Sequence, residues 1–388
     1  MQLSSVDLFH VRLPFKRGFA HASADRLQSD NVIVRCRTTA GVTGWGETIA
    51  REYVTGETTE GTIERLVALP RSAWAQRFES PDAISRLFAQ DLLGDANVAS
   101  CGIEIALLDA FARTAGAPLY RVLASAWPRL ARVRPGSSLR YGGPFGLGST
   151  TDTLATAVKL RLYGFDDVKL KVASDLKRDA TRLRLARRIL GGRVDLRVDA
   201  NEAWSFDHAL AMAPLLRRYR VSAVEQPFPK TMDRVLCDFY RATSLPVIVD
   251  ESLRSEADAT SLAATDAKLL FAVKLAKLGG FRKSLGVFAV AASRGIQVQI
   301  GCQVGESGIL SAAGRQLAAL CPHLRDLEGS HDRFLLSANV IARDITFGWS
   351  GFAPVLNGPG LGVEVVESEV ERLTVKKVKL YRRAVVAA

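Results

Sequence analysis

Two lysines one residue apart, Lys169 and Lys171, stand in the run Asp167-Val168-Lys169-Leu170-Lys171-Val172. Residues two apart on a strand face the same side, so both amines project together while Val168, Leu170 and Val172 face the other layer. Such a pair is either a solvated basic edge, or two amines that lower each other's proton affinity until one can act as a base near neutral pH. The residues downstream favour the second. Asp199 follows Lys171 by 28 positions, Glu225 follows Asp199 by 26, Asp250 follows Glu225 by 25, and Lys274 follows Asp250 by 24. That near-constant step suits a strand, a helix and two loops.

Eight short apolar segments carry this period, at residues 139–141, 167–172, 194–199, 222–225, 246–250, 270–274, 296–300 and 323–327, with helical sequence between them. The expected fold is α/β, a (β/α) barrel; a doubly wound sheet would also alternate, but eight regular units favour closure. Strand ends of a barrel converge on one mouth. Asp199, Glu225 and Asp250 then meet as three hard carboxylates, a donor set suited to Mg²⁺ or Mn²⁺, although any one of them alone could be a helix N-cap. Lys169 and Lys171 on the second strand would face Lys274 on the sixth. Two amines flanking a small carboxylate substrate, beside a dication that holds that carboxylate, could remove and return the α-proton. Burial, the neighbouring amine and the metal are expected to lower the pKa of such a lysine.

The elements before the barrel differ in character. Short alternating segments at residues 3–13, 31–38 and 42–47 predict a small antiparallel meander, and helical periodicity follows at 59–69, 81–92 and 98–115. Residues 14–30, which include His21, and 49–58, with Tyr53 as apolar anchor, are too polar for core and are expected to be capping loops that select substrate. A linker at 129–138 marks the boundary. The expected division is residues 1–130 as an α+β capping domain, 131–344 as the barrel, and 345–388 returning as strands to the cap.

Composition bounds the function. The chain has 388 residues, 48% hydrophobic and 24% charged, with no apolar run long enough to span a membrane and no leader-like block at its start. A cytosolic location is expected. Cys36, Cys101, Cys237, Cys302 and Cys321 are scattered and odd in number, so each is expected to be a buried thiol. The net charge of +12 raises a non-catalytic alternative, a barrel binding an anion or nucleic acid. Its densest basic stretch, Arg178 to Arg193, interleaves arginine with Leu183, Leu185, Ile189 and Leu190 as a solvated amphipathic helix does, and nucleic-acid binding is not expected.

Taken as a set, Lys169-x-Lys171, Asp199-x-Asn201, Glu225-Gln226-Pro227, Asp250-Glu251-Ser252 and Lys274-x-x-Lys277-x-Gly279-Gly280 resemble the enolase superfamily, muconate-lactonizing-enzyme subgroup. The resemblance spans nearly the whole chain. It implies a modified TIM barrel with a cap, Asp199, Glu225 and Asp250 as Mg²⁺ ligands, and Lys171 and Lys274 as the acid/base pair assisted by Lys169. It implies Asn201 and Glu251 as groups that orient ligands and lysines, and assembly into a homo-oligomer. The end of the seventh strand reads Gly301-Cys302-Gln303, without the histidine of the mandelate-racemase subgroup. Asp326-Leu327-Glu328 is similar to the Asp-x-Asp of dipeptide epimerases, with Glu in place of the second Asp, and could take a substrate ammonium or be a solvated turn. Glu306 stands where the subgroup often has an acid, or where a helix N-terminus would favour one. The reaction expected is racemisation or epimerisation of an amino-acid derivative or dipeptide; cycloisomerisation and syn-elimination remain the alternatives.

Overall fold

The computed structural model describes residues 1–21, 24–134 and 136–384, and the side chains of residues 17–26 lie outside what it describes. In chain order the strands are β1 (Leu3–His21), β2 (Ala24–Thr38), β3 (Thr43–Thr48), β4 (Ser138–Arg140), β5 (Gly143–Phe145), β6 (Asp167–Lys171), β7 (Asp195–Asp199), β8 (Val221–Glu225), β9 (Val247–Val249), β10 (Leu269–Val273), β11 (Gln297–Ile300), β12 (Leu324–Leu327), β13 (Phe352–Pro354) and β14 (Thr374–Arg382). β5 to β12 pair in parallel, in sequence order, as one curled sheet. The Gly142 N–H donates to the Leu327 carbonyl at 2.8 Å, linking its last strand to its first. Helices follow each of the first seven strands, the first of them Thr150–Leu162 and the last Gly308–Ala318.

The first barrel strand is not the segment expected. Residues 138–140 form β4, which pairs with β13 in a separate ribbon, and the barrel begins at Gly143. A Cβ on Gly142 would stand 2.6 Å from Asp167 Oδ2, and one on Gly143 2.7 Å from Leu160 Cδ2. A strand that must fit so closely carries little side chain, and hence little apolar signal.

The second sheet has the order β14-β1-β2-β3 and is antiparallel. Here too an expectation fails, because residues 14–21 of β1 and 24–30 of β2 are the paired arms of a long antiparallel ribbon instead of a loop. Backbone pairing in such a ribbon needs no apolar alternation, which is why the sequence hides it. Among the described residues the tail adds the single strand β14 to this sheet; the helix Glu367–Leu373 precedes it, and β13 lies against β4.

Helix Asn97–Thr114 lies buried on this sheet. Glycine sets the approach: a Cβ on Gly46 would stand 2.1 Å from the Gly102 carbonyl oxygen, and one on Gly44 2.3 Å from that of Ala106. Two acids on this apolar helix are fully buried, and both bind backbone. Glu104 Oε2 accepts the Phe281 N–H at 2.5 Å, at the N-terminus of helix Phe281–Ser293 in the barrel. Asp109 accepts from the N–H groups of Trp45 and Leu361 at 2.9 and 2.7 Å. From β3, Glu47 accepts from the Ser307 N–H at 2.9 Å and the Leu310 N–H at 2.8 Å, satisfying donors at the start of Gly308–Ala318. Glu104 and Glu47 of the cap thus seat on helix N-termini of the barrel, where the backbone offers unpaired N–H groups and positive potential. Burial pushes the Glu104 carboxyl up to about 7. No helix among the described residues is long and apolar enough to cross a membrane.

Candidate active site at the carboxyl end of the barrel

β6 buries Val168 and Leu170 and turns Lys169 and Lys171 the other way. The amine of Lys169 lies 3.0 Å from both carboxylate oxygens of Glu225, 2.7 Å from Glu328 Oε2 and 3.6 Å from Asp199 Oδ2. Lys171 donates to Asn201 Oδ1 at 2.6 Å, and Asn201 Nδ2 donates in turn to Glu251 Oε1 at 3.3 Å. Asn201 has φ 42°, a left-handed conformation that asparagine tolerates. This turn also lets the Asn201 N–H bond to Asp199 Oδ1 at 3.1 Å.

The three candidate metal ligands close successive strands. Asp199 pairs with Glu225 across β7 and β8, and Asp250 follows β9 directly. Gln226 staples the next pair of ends: its Oε1 accepts the N–H groups of Asp250 and Ser252 at 2.9 and 3.2 Å. All three carboxylates are at most 2% exposed. Beside them Glu251 Oε2 is buried without a hydrogen-bond partner among the described residues. Burial and then the Asp250 charge push the Glu251 carboxyl up to about 8. Three buried hard donors next to an orphaned carboxylate oxygen fit a divalent cation such as Mg²⁺. A different acidic group, Asp167, Asp195 and Asp326, brings its oxygens within 4.8 Å of one another, but toward the amino ends of β6 and β7, where Arg197 and Arg325 face it.

Across the sheet, Lys274 follows β10 and bonds to Asp250 Oδ2, while Lys277 donates to Asp250 Oδ1 at 2.6 Å and to the carbonyls of Asp250 and Ala272 at 2.6 and 2.8 Å. Burial alone would lower the pKa values of Lys169 and Lys274, but Glu225, Glu328 and Asp199 around Lys169, and Asp250, Glu225 and Glu251 around Lys274, raise them well above the ordinary value. The carboxylates around Lys169 and Lys274 favour the charged form of these two amines.

Of these groups Lys169, Lys171, Asp199, Asn201, Glu251 and Lys274 line a cavity of about 730 Å³ at the carboxyl ends of the strands, with Lys169 and Lys171 on one side and Lys274 on the strand four places away. Tyr53, Glu306 and Glu328 line it as well; Asp326 does not. Asp326 is buried against Arg197 at 3.5 Å, with burial raising its carboxyl to about 7, so the structure does not bring the acidic pair to the cavity together. Glu328 is already engaged by Lys169 and by Arg197 Nη1 at 3.2 Å. Glu306 accepts the Gln303 N–H at 2.6 Å, and burial raises its carboxyl to about 8. The side chain of His21 lies outside the described residues. The segment 49–58 is less a polar loop than a tucked turn: Ile49, Ala50, Arg51 and Val54 are buried, and Arg51 donates to the Val304 carbonyl at 2.5 Å. Cys36, Cys101 and Cys321 are buried as expected, whereas Cys237 and Cys302 are only partly so, and Cys302 lines the cavity.

Comparison with known proteins decides what this arrangement belongs to. Residues 152–369 match the enolase C-terminal domain-like family, and residues 4–124 match the mandelate racemase / muconate lactonizing enzyme N-terminal domain. The chain belongs to the enolase superfamily. Its membership is of the muconate-lactonizing-enzyme kind, and its relatives there are isomerases. An L-Lys-D/L-Arg epimerase of Methylococcus capsulatus is 31% identical over 94% of this chain and 99% of its own. Muconate cycloisomerase 1 of Rhodococcus opacus is 28% identical over 96% of this chain and 99% of its own. A crystal structure of the Methylococcus capsulatus dipeptide epimerase, complexed with Mg and the dipeptide L-Arg-D-Lys, superimposes with a TM-score of 0.83 at 30% identity, covering 94% of this chain and 100% of that one.

Within this superfamily frame, three site residues had escaped the sequence reading of roles. Arg197 is fully buried and ties Asp167, Gln299 and Glu328 together beneath Lys169. Gln299 donates to Glu225 Oε2 at 2.9 Å. Lys277 braces Asp250. The signal for Arg197 was its place two residues before Asp199 on the same strand, hence on the same inward face. Gln299, in the alternating strand Gln297–Ile300, offered the same clue.

Proposed function

We propose that this enzyme catalyses 1,1-proton transfer at the carbon α to a substrate carboxylate, epimerising or racemising an amino-acid derivative or dipeptide. The observation that carries the reading is the placement of Lys171 and Lys274 on opposite sides of one cavity, beside three buried carboxylates. Asp199, Glu225 and Asp250 would hold Mg²⁺, with Mn²⁺ as substitute. When bound, the dication supplies positive charge that offsets these carboxylates and favours the charge developing on the substrate carboxylate. Lys171 Nζ, held by Asn201, takes or returns the α-proton on one face, and Lys274 Nζ does so on the other. Lys169 keeps Glu225 and Glu328 in place, and Asn201 and Glu251 orient Lys171 from behind. Tyr53, Glu306 and Glu328 contact substrate. Five cysteines without disulfides suit a reducing cytosol, where the enzyme would work as a homo-oligomer.

Cycloisomerisation or elimination would use the same amines and carboxylates, and the Rhodococcus relative keeps it as the second reading. The test is ¹H NMR in D₂O across dipeptides, N-acyl amino acids and muconate, with Mg²⁺ or with EDTA. Metal-dependent exchange with inversion at the α-carbon of a dipeptide or N-acyl amino acid is the expected result. Ring closure of muconate or loss of water, without inversion in any of the others, would overturn it.

A further inference from the structure

The cavity does more than expose the amines and carboxylates. The first seven barrel strands are each followed by a helix, but after β12 the chain makes only one helical turn, Asp332–Leu335, before residues 345–351 cross toward β4. A full helix is thus missing from the outer ring between the last strand and the helix Thr150–Leu162 that follows the first. The cavity runs sideways into this gap, where Leu160, Tyr163, Phe165, Phe334, Phe347 and Trp349 line it.

These rings form one cluster. Tyr163 stacks on Phe165 with centroids 5.4 Å apart and lies 5.6 Å from Trp349, while Phe347 meets Phe165 edge-on at 5.6 Å. Phe165 and Phe347 are buried and make the floor, whereas Trp349 is 67% and Phe334 51% exposed and make the rim. Gly164 has φ +80° and lies under the indole; a Cβ there would stand 3.2 Å from Trp349 Nε1. The ring is therefore seated against the turn despite its exposure. Charge is divided along the cavity. Asp199, Glu251, Glu306 and Glu328 all stand at the lysine end. On the side arm Lys159 lines the cavity, Arg333 lies over the Phe334 ring at 5.1 Å and pairs with Asp344 at 3.5 Å, His331 meets Phe347 edge-on at 5.4 Å, and the buried Asp332 is already bonded by Ser311 and Asn339.

We propose that this side arm is a specificity pocket for a large uncharged apolar or aromatic group of the substrate, such as a phenylalanyl or leucyl side chain. The proposal rests on the proton-transfer reading, because that reading puts the α-carbon at the lysine end and leaves the aromatic arm for the rest of the molecule. A lysyl or arginyl side chain would meet Lys159, while the nearby carboxylates are already engaged, Asp332 by Ser311 and Asn339 and Asp344 by Arg333. A methyl side chain would leave the arm unfilled. A phenyl group would cover the rims of Tyr163 and Trp349 and remove their apolar surface from water.

The test separates binding from turnover. Affinity is measured by calorimetry with Mg²⁺ on the Lys171→Ala, Lys274→Ala double variant, for alanyl-phenylalanine, phenylalanyl-alanine, alanyl-alanine, alanyl-lysine and alanyl-glutamate. At least one phenyl-bearing dipeptide should bind about tenfold to a hundredfold more tightly than alanyl-alanine, and more tightly than either charged dipeptide. Adding Trp349→Ala should cut that ratio by about threefold to tenfold without changing the oligomeric state seen by sedimentation. Preference for a charged or small side chain, a Trp349→Ala effect equal for all ligands, a change of assembly in place of selectivity, or no binding by either phenyl compound would each overturn the pocket. Exchange by the wild-type enzyme is read separately. Exchange that ranks a charged dipeptide first keeps the chemistry and removes the pocket; apolar-selective binding without exchange keeps the pocket as a ligand site and removes the proton-transfer reading.

Discussion

Replacing Lys274 by alanine should cut epimerisation roughly a thousandfold or more, the scale of losing a positioned acid/base group, and should do so without removing the other base. Lys274 and Lys171 approach from strands four places apart in an eight-strand barrel, so in the proposed reaction each would serve one face of the α-carbon. The Lys274→Ala enzyme should therefore still exchange the α-proton of one epimer with solvent, without inverting it. Lys171→Ala should do the same for the opposite epimer only. This pairing of losses distinguishes two bases on two faces from a site merely weakened by the substitution. Lys277 still neutralises Asp250 Oδ1 in Lys274→Ala, so folding should survive, and circular dichroism checks that it does. If both variants exchanged the same epimer, the two-face assignment would fail.

The second large effect concerns stability. Asp250 accepts from both Lys274 and Lys277, and Lys277 is 1% exposed. These amines outweigh burial and hold the Asp250 carboxyl well below the usual carboxylate range. Asp250→Asn would leave two buried ammonium groups without a full counter-charge, at a cost of about 3–5 kcal/mol, read as a lower urea midpoint in the metal-free enzyme. The deficit has a pH signature. Burial, the larger influence, lowers the Lys277 pKa even in the native pair, and without Asp250 it should fall further. The unfolded chain then binds more protons than the folded one, so the variant should regain stability as pH rises toward the ordinary lysine range. A deficit independent of pH would assign the loss to packing in place of charge. The same variant should also bind Mg²⁺ more weakly.

How much of this was legible in the residues alone follows from what each residue does. Every barrel strand after the first could be read, because buried parallel strands must be apolar, and in the second to the sixth an acidic or basic residue at the strand end recurs at a nearly fixed step. The first escaped because Gly142 and Gly143 fit against Asp167 and Leu160 and carry no side chain to announce a strand. The pairing of residues 14–21 with 24–30 escaped because backbone pairing leaves no compositional mark. Asp326 and Glu328 looked like one acidic pair on one face, but Asp326 instead meets Arg197, a partner 129 positions away that no local pattern predicts. The aromatic arm was invisible because it is made by a missing helix, with Tyr163 and Phe165 drawn from one side of the gap and Phe347 and Trp349 from the other.

The most direct test of the central claim is to follow the label during turnover in D₂O, on one epimer of the best dipeptide, with Mg²⁺ present. With a lysine on each face, the proton taken by one amine is not the one returned by the other. Product formed early should carry deuterium at the α-carbon while unreacted substrate still carries protium. Early product that retains the original proton would mean that a single base carries it across, and would contradict the account.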